Sequence, residues 1–598
     1  MTDPMPTARE MEFLLHDWLR VADLASREAY AHADRETIGQ TLDLARALAA
    51  DRFWPHFAKA DAEEPRVGNG RVRLVPEAAD AIAAFRDAGF FGMSFAAEDG
   101  GLALPWVVTQ AVCTLFSAAN QATFAYPFLT IAAANLLKVF GTDAQKRLYM
   151  QPMIEGRFFG TMCLSEPHAG SSLADIRTRA VPAGDGTYRL KGTKMWISGG
   201  EHELAPNIVH LVLARIEGAP AGVKGISLFA VPRYRLDADG NPGEANGVTL
   251  AGLNHKMGYR GTVNTLLNFG EDADCIGTLV GEEHRGLFAM FHMMNEARLG
   301  VGLSAAAQAC AGYRISLDYA RERTQGRPVD AKDPAAPPVP IIAHADVRRM
   351  LLAQKAYAEG GLALGLWLAR LIDEQKTAED RAERARLTGL LDLLTPVMKA
   401  WTSHYGLEAN FWAIQILGGA GYTRDFPVEQ LYRDNRLNPI HEGTNGIQAI
   451  DLLGRKLGLR DGADWRELGK LVRATAKRAE GGGLADLGAA LAAAMDTADR
   501  VAVTLAKRGA AQGAGAMLAN AWDFLRLAGH TVIAWVWLEQ ALVARASMDE
   551  SAGGATYLQG KIAAARWFFA HELPFVEAWA AMLAAGDAPH LDIPDDGF

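Results

Sequence analysis

Met162-Cys-Leu-Ser-Glu-Pro-His-Ala-Gly-Ser171 stands where the helical text of the chain gives way to sheet, and its reading organises what lies on either side. Before it, from about residue 8 to 160, apolar residues recur at three- and four-residue spacings, as over Glu36 to Phe57 and Pro76 to Ala88, and predict helices. After it, Thr187 to Leu190, Lys194 to Ile197, Ile208 to Ala214, Ile226 to Val231 and Val263 to Phe269 are short segments parted by Gly, Pro, Asp and Asn. They predict a β-domain of about 110 residues. Past Gly281 the helical period returns over Glu283 to Arg323 and Ala345 to Gln375, where Met350, Leu351, Ala358, Leu362 and Leu366 share one stripe. Between these helices Gln325 to Pro340 holds Pro328, Pro334, Pro337, Pro338 and Pro340 and reads as a surface excursion. A polar Arg460-Asp-Gly-Ala-Asp464 stretch then leads into Ala-rich helices. The expected domains are therefore 1–160 helical, 161–282 β, 283–460 helical and 461–598 helical.

A chain of 598 residues, 49% hydrophobic and 22% charged, has ample apolar surface to bury. Sixty Lys and Arg against 70 Asp and Glu give a net charge of −10, which opposes general attraction to nucleic acid. Cys113, Cys163, Cys275 and Cys310 are far apart, without zinc-like or disulfide-framework spacing, so no metal site is expected and a reducing compartment is. The N-terminal residues lack the apolar core of a signal peptide and the Arg-rich character of a transit peptide, and the expected location is cytoplasmic. Gly100 to Leu137 carries no charge. Gln110, Asn120, Gln121, Asn135, Pro105 and Pro127 interrupt it, which favours a buried helical hairpin over an integral membrane segment. The chain has no G-x-G-x-x-G between strand and helix, no P-loop, no H-E-x-x-H and no G-x-S-x-G. Gly513-Ala-Gly515 reads as packing in a helical region.

Two further stretches carry chemistry: Lys191-Gly-Thr-Lys-Met-Trp-Ile-Ser198, and Gln415-Ile-Leu-Gly-Gly-Ala-Gly-Tyr-Thr423 followed by Tyr432-Arg-Asp-Asn-Arg-Leu-Asn-Pro-Ile-His-Glu-Gly-Thr-Asn-Gly-Ile-Gln448. With Met162 to Ser171 they resemble, in order, the motifs of the acyl-CoA dehydrogenase family: C-[LV]-[TS]-E-P-x-A-G-S, G-x-K-x-W-I-[TS], Q-x-x-G-G-x-G and a Y/F-E-G-T segment. The resemblance covers roughly residues 80 to 456. The length, the Pro-rich excursion and the added C-terminal helices are similar to the family's ~600-residue branch. The resemblance implies an α+β fold: a helical N-terminal domain, a central β-barrel-like domain, a helical bundle and a C-terminal helical extension.

It also implies FAD as cofactor, an acyl-CoA thioester as substrate and α,β-dehydrogenation to the trans-2-enoyl-CoA. A proton leaves Cα and a hydride leaves Cβ for flavin N5, so a carboxylate base and a flat acceptor must flank the bond. Glu442 matches the family's base. An isolated Glu would ordinarily be a solvated loop acid. Here Ile440 precedes it, Gly443 permits tight backbone, and Asn445 with Gln448 resembles a helix N-cap before Ile447, Ile450, Leu452 and Leu453. Its own backbone N–H, with the flavin ribityl 2′-hydroxyl, would stabilise the developing enolate, and burial should raise its pKa. Some relatives carry the base at the position of Ala297, which cannot serve; Glu296, turned about 100° away on a helix, reads as structural.

By the same resemblance Met162, Leu164, Ser165, Trp196 and Ser198 would line the isoalloxazine. Arg323, Gln415, Gly418 and Gly419 would reach the adenine and pyrophosphate of a partner subunit's flavin, implying at least a homodimer. Thr444, Asn445 and Gly446 form a third cofactor-contacting stretch, and Ser171, Asn295, Arg298 and Gly443 would contact the substrate, Ser171 and Arg298 at its CoA part. The other reading of Arg298 is an ion pair with an acid of a neighbouring helix. Three departures stand out: His441 where a large aromatic is usual, Arg323-Thr-Gln-Gly326 in place of R-x-x-F-G, and Asn445-Gly446 in place of Ser-Gln. Electrons would pass to an electron-transfer flavoprotein. The alternatives are an acyl-CoA oxidase using O₂ and a nucleic-acid-associated flavoprotein of the same fold. Residues 461–598, with twelve Lys and Arg against seventeen Asp and Glu, carry −5 and do not favour the latter.

Overall fold

The computed structural model describes residues 3–68, 70–330, 333, 335–548 and 554–598, with the side chains of residues 292–295 outside the described set. Pro334 of the Pro-rich excursion and the Asn295 side chain therefore lie outside the described residues. The fold is α+β and falls into two compact units, Glu36–Ala297 and Met1–Arg35 with Arg298–Phe598.

In the first unit, helices Arg35–Leu48, Pro76–Asp87 and Trp106–Phe140 precede the sheet. The uncharged stretch forms two buried helical segments within Trp106–Phe140 that meet at Asn120 (φ −161°, ψ 86°). The Asn120 amide explains the break: its oxygen accepts from Thr123 N (3.1 Å), capping the second segment, while its nitrogen donates to the Phe53 carbonyl (3.1 Å). The strands run Val248–Leu253, Asn264–Phe269, Thr187–Ser198, Cys275–Val280, Ile226–Pro232, Asn207–Ile216, Phe158–Cys163 across the sheet. Arg179–Pro182 pairs with both Thr187–Ser198 and Asn207–Ile216, so that five strands close into a barrel. Ala180, Leu190, Val212, Phe229 and Phe269 fill its interior. Closure leaves few free edges, which suits a domain that must present residues from strand ends on a fixed frame.

In the second unit, Ala345–Thr377 and Arg381–Leu417 pack on one another, joined by a short turn in which the Asp380 carboxylate caps the second helix at Ala382 N and Glu383 N. Ala521–Met548 lies against both. Its Trp537 indole donates to the Ala356 carbonyl (3.1 Å), and Trp401 donates to His530 Nδ1 (3.1 Å). The Pro-rich excursion is closed at its base by Gln325 N to Val339 O (2.9 Å) and Ile341 N to Arg323 O (2.8 Å). Gly513, expected as packing, is the left-handed turn (φ 91°) that ends helix Ala485–Gln512. Among the described residues two helices, Trp106–Phe140 and Ala521–Met548, are long and apolar enough to cross a membrane, but 67% and 83% of their most apolar windows are buried within the protein.

The expected first domain of 1–160 is corrected at its start, because residues before Glu36 belong with the bundle. The reason is a buried charge cluster. Lys561 Nζ donates to Glu10 Oε1 (2.5 Å) and Glu359 Oε2 (2.9 Å), and Tyr557 donates to Glu10 Oε2 (2.6 Å). Lys561 also sits over the rings of Phe13 and Trp537. Removing one partner from such a cluster strands charge in low dielectric. Lys561→Met is therefore expected to destabilise this unit by about 3–5 kcal/mol, read as lost hydrogen-exchange protection in Ala8–Glu12 and Ala555–His571.

Candidate active site

On the barrel unit the first motif folds back on a buried ion pair. Lys194 is fully buried, and its Nζ donates to the Leu164 carbonyl (2.9 Å) and to Glu166 Oε1 (2.9 Å). Glu166 also accepts from Arg177 N (2.7 Å), Thr178 N (3.0 Å) and Thr178 Oγ1 (2.6 Å). Burial disfavours its charge, but Lys194 and these donors outweigh that and hold its pKa below the usual carboxylate range. Glu166 and Lys194 thus pin the Met162–Ser171 segment to strand Thr187–Ser198, and Met195 N adds a bond to Ser165 O (3.0 Å).

The same strand turns its tryptophan outward. Leu190 and Lys194 face the interior, and so does Ile197, three residues after Lys194 instead of two or four. The register against Asn264–Phe269 slips by one between Thr265 and Leu267, which marks a β-bulge. Trp196 absorbs the slip in left-handed backbone, φ 66°. For a non-glycine residue this costs roughly 1–2 kcal/mol. The result is a large ring left 57% exposed beside partly exposed Met162, Leu164, Ser165 and Ser198. The Ser198 hydroxyl accepts from Asn264 Nδ2 (3.2 Å). Ser171 is exposed in the bend that ends the motif.

On the bundle unit the second motif makes a tight loop, closed by Asn445 N to Pro439 O (3.0 Å). Glu442 (φ 55°) and Gly443 (φ 86°) are consecutive left-handed residues. Gly443 has no alternative, since a Cβ there would lie 2.7 Å from Gln448 Nε2. That amide donates to the Glu442 carbonyl (3.2 Å) and Arg298 Nε approaches the same oxygen (3.4 Å). The expected cap at Asn445 is corrected: Thr444 is the N-cap of helix Asn445–Gly454, its hydroxyl accepting from Ile447 N (3.3 Å), and Gln448 serves the Glu442 turn instead. With its carbonyl clamped, Glu442 is left with a backbone N–H and a carboxylate that make no hydrogen bond among the described residues. The residue is half-buried by surface, and burial raises the carboxyl pKa, against the pull of Arg298 and Lys399.

Arg298 is nearly buried, with Asp451 at 3.9 Å on the next helix as well as the Glu442 carbonyl. The neighbouring-acid reading of this Arg is thus the contact present. His441 is not a charge beside Glu442: burial, with Lys399 adding, pushes its pKa down to about 3. Glu296 accepts from Asn135 Nδ2 (3.2 Å), a structural bond, and Ala297 is buried. Arg323, Gln415, Gly418 and Gly419 are all exposed, and Gly418 (φ 60°, ψ −133°) ends helix Arg381–Leu417 in a conformation proper to glycine. Sequence reading missed Lys399, which is fully buried and donates to Asn445 Oδ1 (3.2 Å). Its signal was a lone charge in the apolar run Pro396-Val-Met-Lys-Ala-Trp401.

Four family models match in chain order: "Acyl-CoA dehydrogenase, N-terminal domain" at 36–157, "Acyl-CoA dehydrogenase, middle domain" at 161–271, "Acyl-CoA dehydrogenase, C-terminal domain" at 284–457 and "Acetyl-CoA dehydrogenase C-terminal like" at 468–594. The chain is 38% identical to 3-methylmercaptopropionyl-CoA dehydrogenase of Ruegeria pomeroyi over 94% of either protein. It is 32% identical to the broad-specificity linear acyl-CoA dehydrogenase FadE5 of Mycobacterium tuberculosis over 99% of either. Its fold matches the crystal structure of a Bacillus anthracis acyl-CoA dehydrogenase complexed with FAD at a TM-score of 0.73, 19% identity, 93% of this chain and 89% of that one. Motifs, barrel, bundle and C-terminal helices agree with these likenesses along nearly the whole length, and the chain belongs to the acyl-CoA dehydrogenase family of FAD-dependent enzymes.

Proposed function

We propose that this enzyme oxidises a saturated acyl-CoA thioester to the trans-2-enoyl thioester with Glu442 as the α-proton base, and passes the electrons to an electron-transfer flavoprotein. The observation that carries this reading is the state of Glu442: a carboxylate with raised pKa, unpaired among the described residues and fixed on a strained turn. Structural acids elsewhere in the chain, such as Glu166 and Glu10, are fully occupied by donors.

The residues fit FAD. A flat tricyclic ring needs an aromatic or apolar platform with a few hydroxyls, which exposed Trp196 with Met162, Leu164, Ser165 and Ser198 supplies. Thr444, Asn445 and Gly446 are taken as its further contacts, and Arg323, Gln415, Gly418 and Gly419 as the contacts to the adenine end of a second copy's cofactor, which makes the working form a homodimer. When bound, FAD supplies the acceptor for the β-hydride. Glu442 takes the α-proton, and its backbone N–H, which makes no hydrogen bond among the described residues, is the donor for the thioester oxygen as negative charge grows there. Arg298, Asn295, Gly443 and Ser171 are assigned to the acyl-CoA side; for Arg298 the part played is chiefly to hold the Glu442 carbonyl, so that any contact with CoA is additional.

Glu442→Gln is expected to lower turnover by roughly 10²–10⁴-fold at unchanged flavin content. The check is anaerobic bleaching of the purified yellow protein by a panel running from butyryl-CoA and 3-methylmercaptopropionyl-CoA to long linear thioesters. Equal bleaching by variant and parent would remove Glu442 from the chemistry. Because the base works deprotonated and its pKa is raised, kcat/KM should climb with pH through an inflection above the ordinary carboxylate range; a profile already flat from pH 5 upward would contradict this. Trp196→Ala should shed FAD on gel filtration yet leave the cofactor-free protein's melting midpoint nearly unchanged, since the lost ring is mostly outside the core. Fast peroxide release without an added acceptor would point to an oxidase.

A further inference from the structure

Lysines are seldom buried without a counter-ion, and among the described residues four are buried: Lys194, Lys399, Lys456 and Lys561. Lys194 pairs with Glu166, Lys456 with Asp392, and Lys561 with Glu10 and Glu359. Lys399 has no ion pair among the described residues. An ammonium has three donors, and a single acceptor, Asn445 Oδ1 at 3.2 Å, serves this one. That acceptor is itself fixed, taking a second bond from Ser403 Oγ (3.0 Å) while Asn445 Nδ2 donates to Ala400 O (3.2 Å). A flipped amide would turn its nitrogen toward the Lys399 ammonium and lose the bond to Ala400 O, so its oxygen is held toward the amine. Asn445 begins the helix that follows the Glu442 turn.

The charged neighbourhood is small. From helix Gly286–Glu322 comes Arg298, from the loop Glu442, and from helix Asn445–Gly454 Asp451, which Arg455 also holds (2.7 Å). His441, on the same loop, is neutral at working pH. Asp451 is engaged by Arg298 and Arg455, so among the described residues Glu442 is the acid that offsets Lys399. We propose that Lys399 is a positioning residue for the Glu442 base: held by Asn445 and lacking an ion pair of its own, it acts on Glu442 through charge, keeping the carboxylate ionised while the ammonium is protonated. The inference rests on Glu442 being the base. Burial, with Arg298 adding and Glu442 opposing, pushes the Lys399 amine down to about 7, so the cation predominates at acid pH, where Glu442 must lose its proton, and is about half lost at neutrality. The two titrate as a pair, and removing either charge moves the other's inflection.

The test uses the FAD-loaded enzyme with Lys399→Met, which keeps the stem and removes the charge. The rising limb of kcat/KM should move to higher pH by about one unit, the lower end of the effect of a nearby opposite charge, with the alkaline plateau kept within a few fold. Infrared titration of the protonated-carboxyl band, assigned by its loss in Glu442→Gln, should show the same displacement in the absence of substrate. Lys399→Cys alkylated with 2-bromoethylamine should restore both. A variant slow at every pH with an unmoved infrared inflection would make Lys399 merely structural and overturn the proposal. Should Lys399→Met not fold, Lys399→Gln carries the same comparison. If Glu442→Gln keeps full activity, the base reading fails by itself, whereas the infrared shift still decides whether Lys399 governs that carboxyl.

Discussion

The candidate site on the bundle unit depends on one backbone constraint, the pair of left-handed residues at Glu442 and Gly443. In ordinary helical or extended backbone the carbonyl of Glu442 could turn to solvent and its N–H could enter a helix ladder. Gln448 and Arg298 instead draw the carbonyl inward, and the peptide geometry that results leaves the N–H and the side chain without partners among the described residues. The strain of roughly 1–2 kcal/mol is offset by those two donors, one of them charged. Arg298 thereby acts twice: its guanidinium fixes the backbone and its charge opposes the rise in the carboxyl pKa that burial produces.

The barrel unit uses the same device with a different residue. At Trp196 a single-residue slip in register re-aims a side chain that strict alternation would have sent inward with Lys194. The buried Glu166–Lys194 pair over-determines this segment, because satisfying the Lys194 ammonium and the four bonds to Glu166 fixes both the motif strand and the segment before it. Both units therefore place a strained, non-glycine residue at the point assigned to chemistry, and both secure it with buried polar groups.

How much of this was legible in the sequence varies with the range of the interaction that decides it. Helices with long apolar stripes, such as Ala345–Thr377, were plain from period alone, and the motifs located Glu442 and Trp196. Motif matching could quote Glu166 and Lys194 without revealing that they bind each other across the barrel. The bulge at Trp196 is a matter of pairing with Asn264–Phe269, nearly 70 residues on, and leaves no local mark. The cap at Thr444 was displaced by one because two adjacent residues, Thr444 and Asn445, are both good capping types, and the choice is made by Lys399, Ser403 and Ala400, which engage the Asn445 amide from another helix. The first 35 residues looked like part of the helical domain they precede, whereas Lys561 draws Glu10 to the far end of the chain.

The C-terminal extension has a physical role that follows from these contacts. Helix Asn445–Gly454, which begins just after the Glu442 turn, packs against both Arg381–Leu417 and Ala521–Met548. Leu452 and Leu453 are buried, and the Leu518 side chain comes so near Gly454 that a Cβ there would meet it at 3.2 Å. Trp401, two residues after Lys399, is itself fixed by His530, whose other nitrogen faces Glu572 (3.3 Å), which in turn accepts from Tyr357 (2.8 Å). The helix that carries Lys399 is thus locked by a buried polar chain from the extension, and the helix that follows Glu442 is backed by it. Without those helices both would present large apolar faces to water, at a cost of about 25 cal/mol for each Å² uncovered. In this chain the added helices are accordingly part of what holds the helix carrying Lys399 and the helix that follows the Glu442 turn in place.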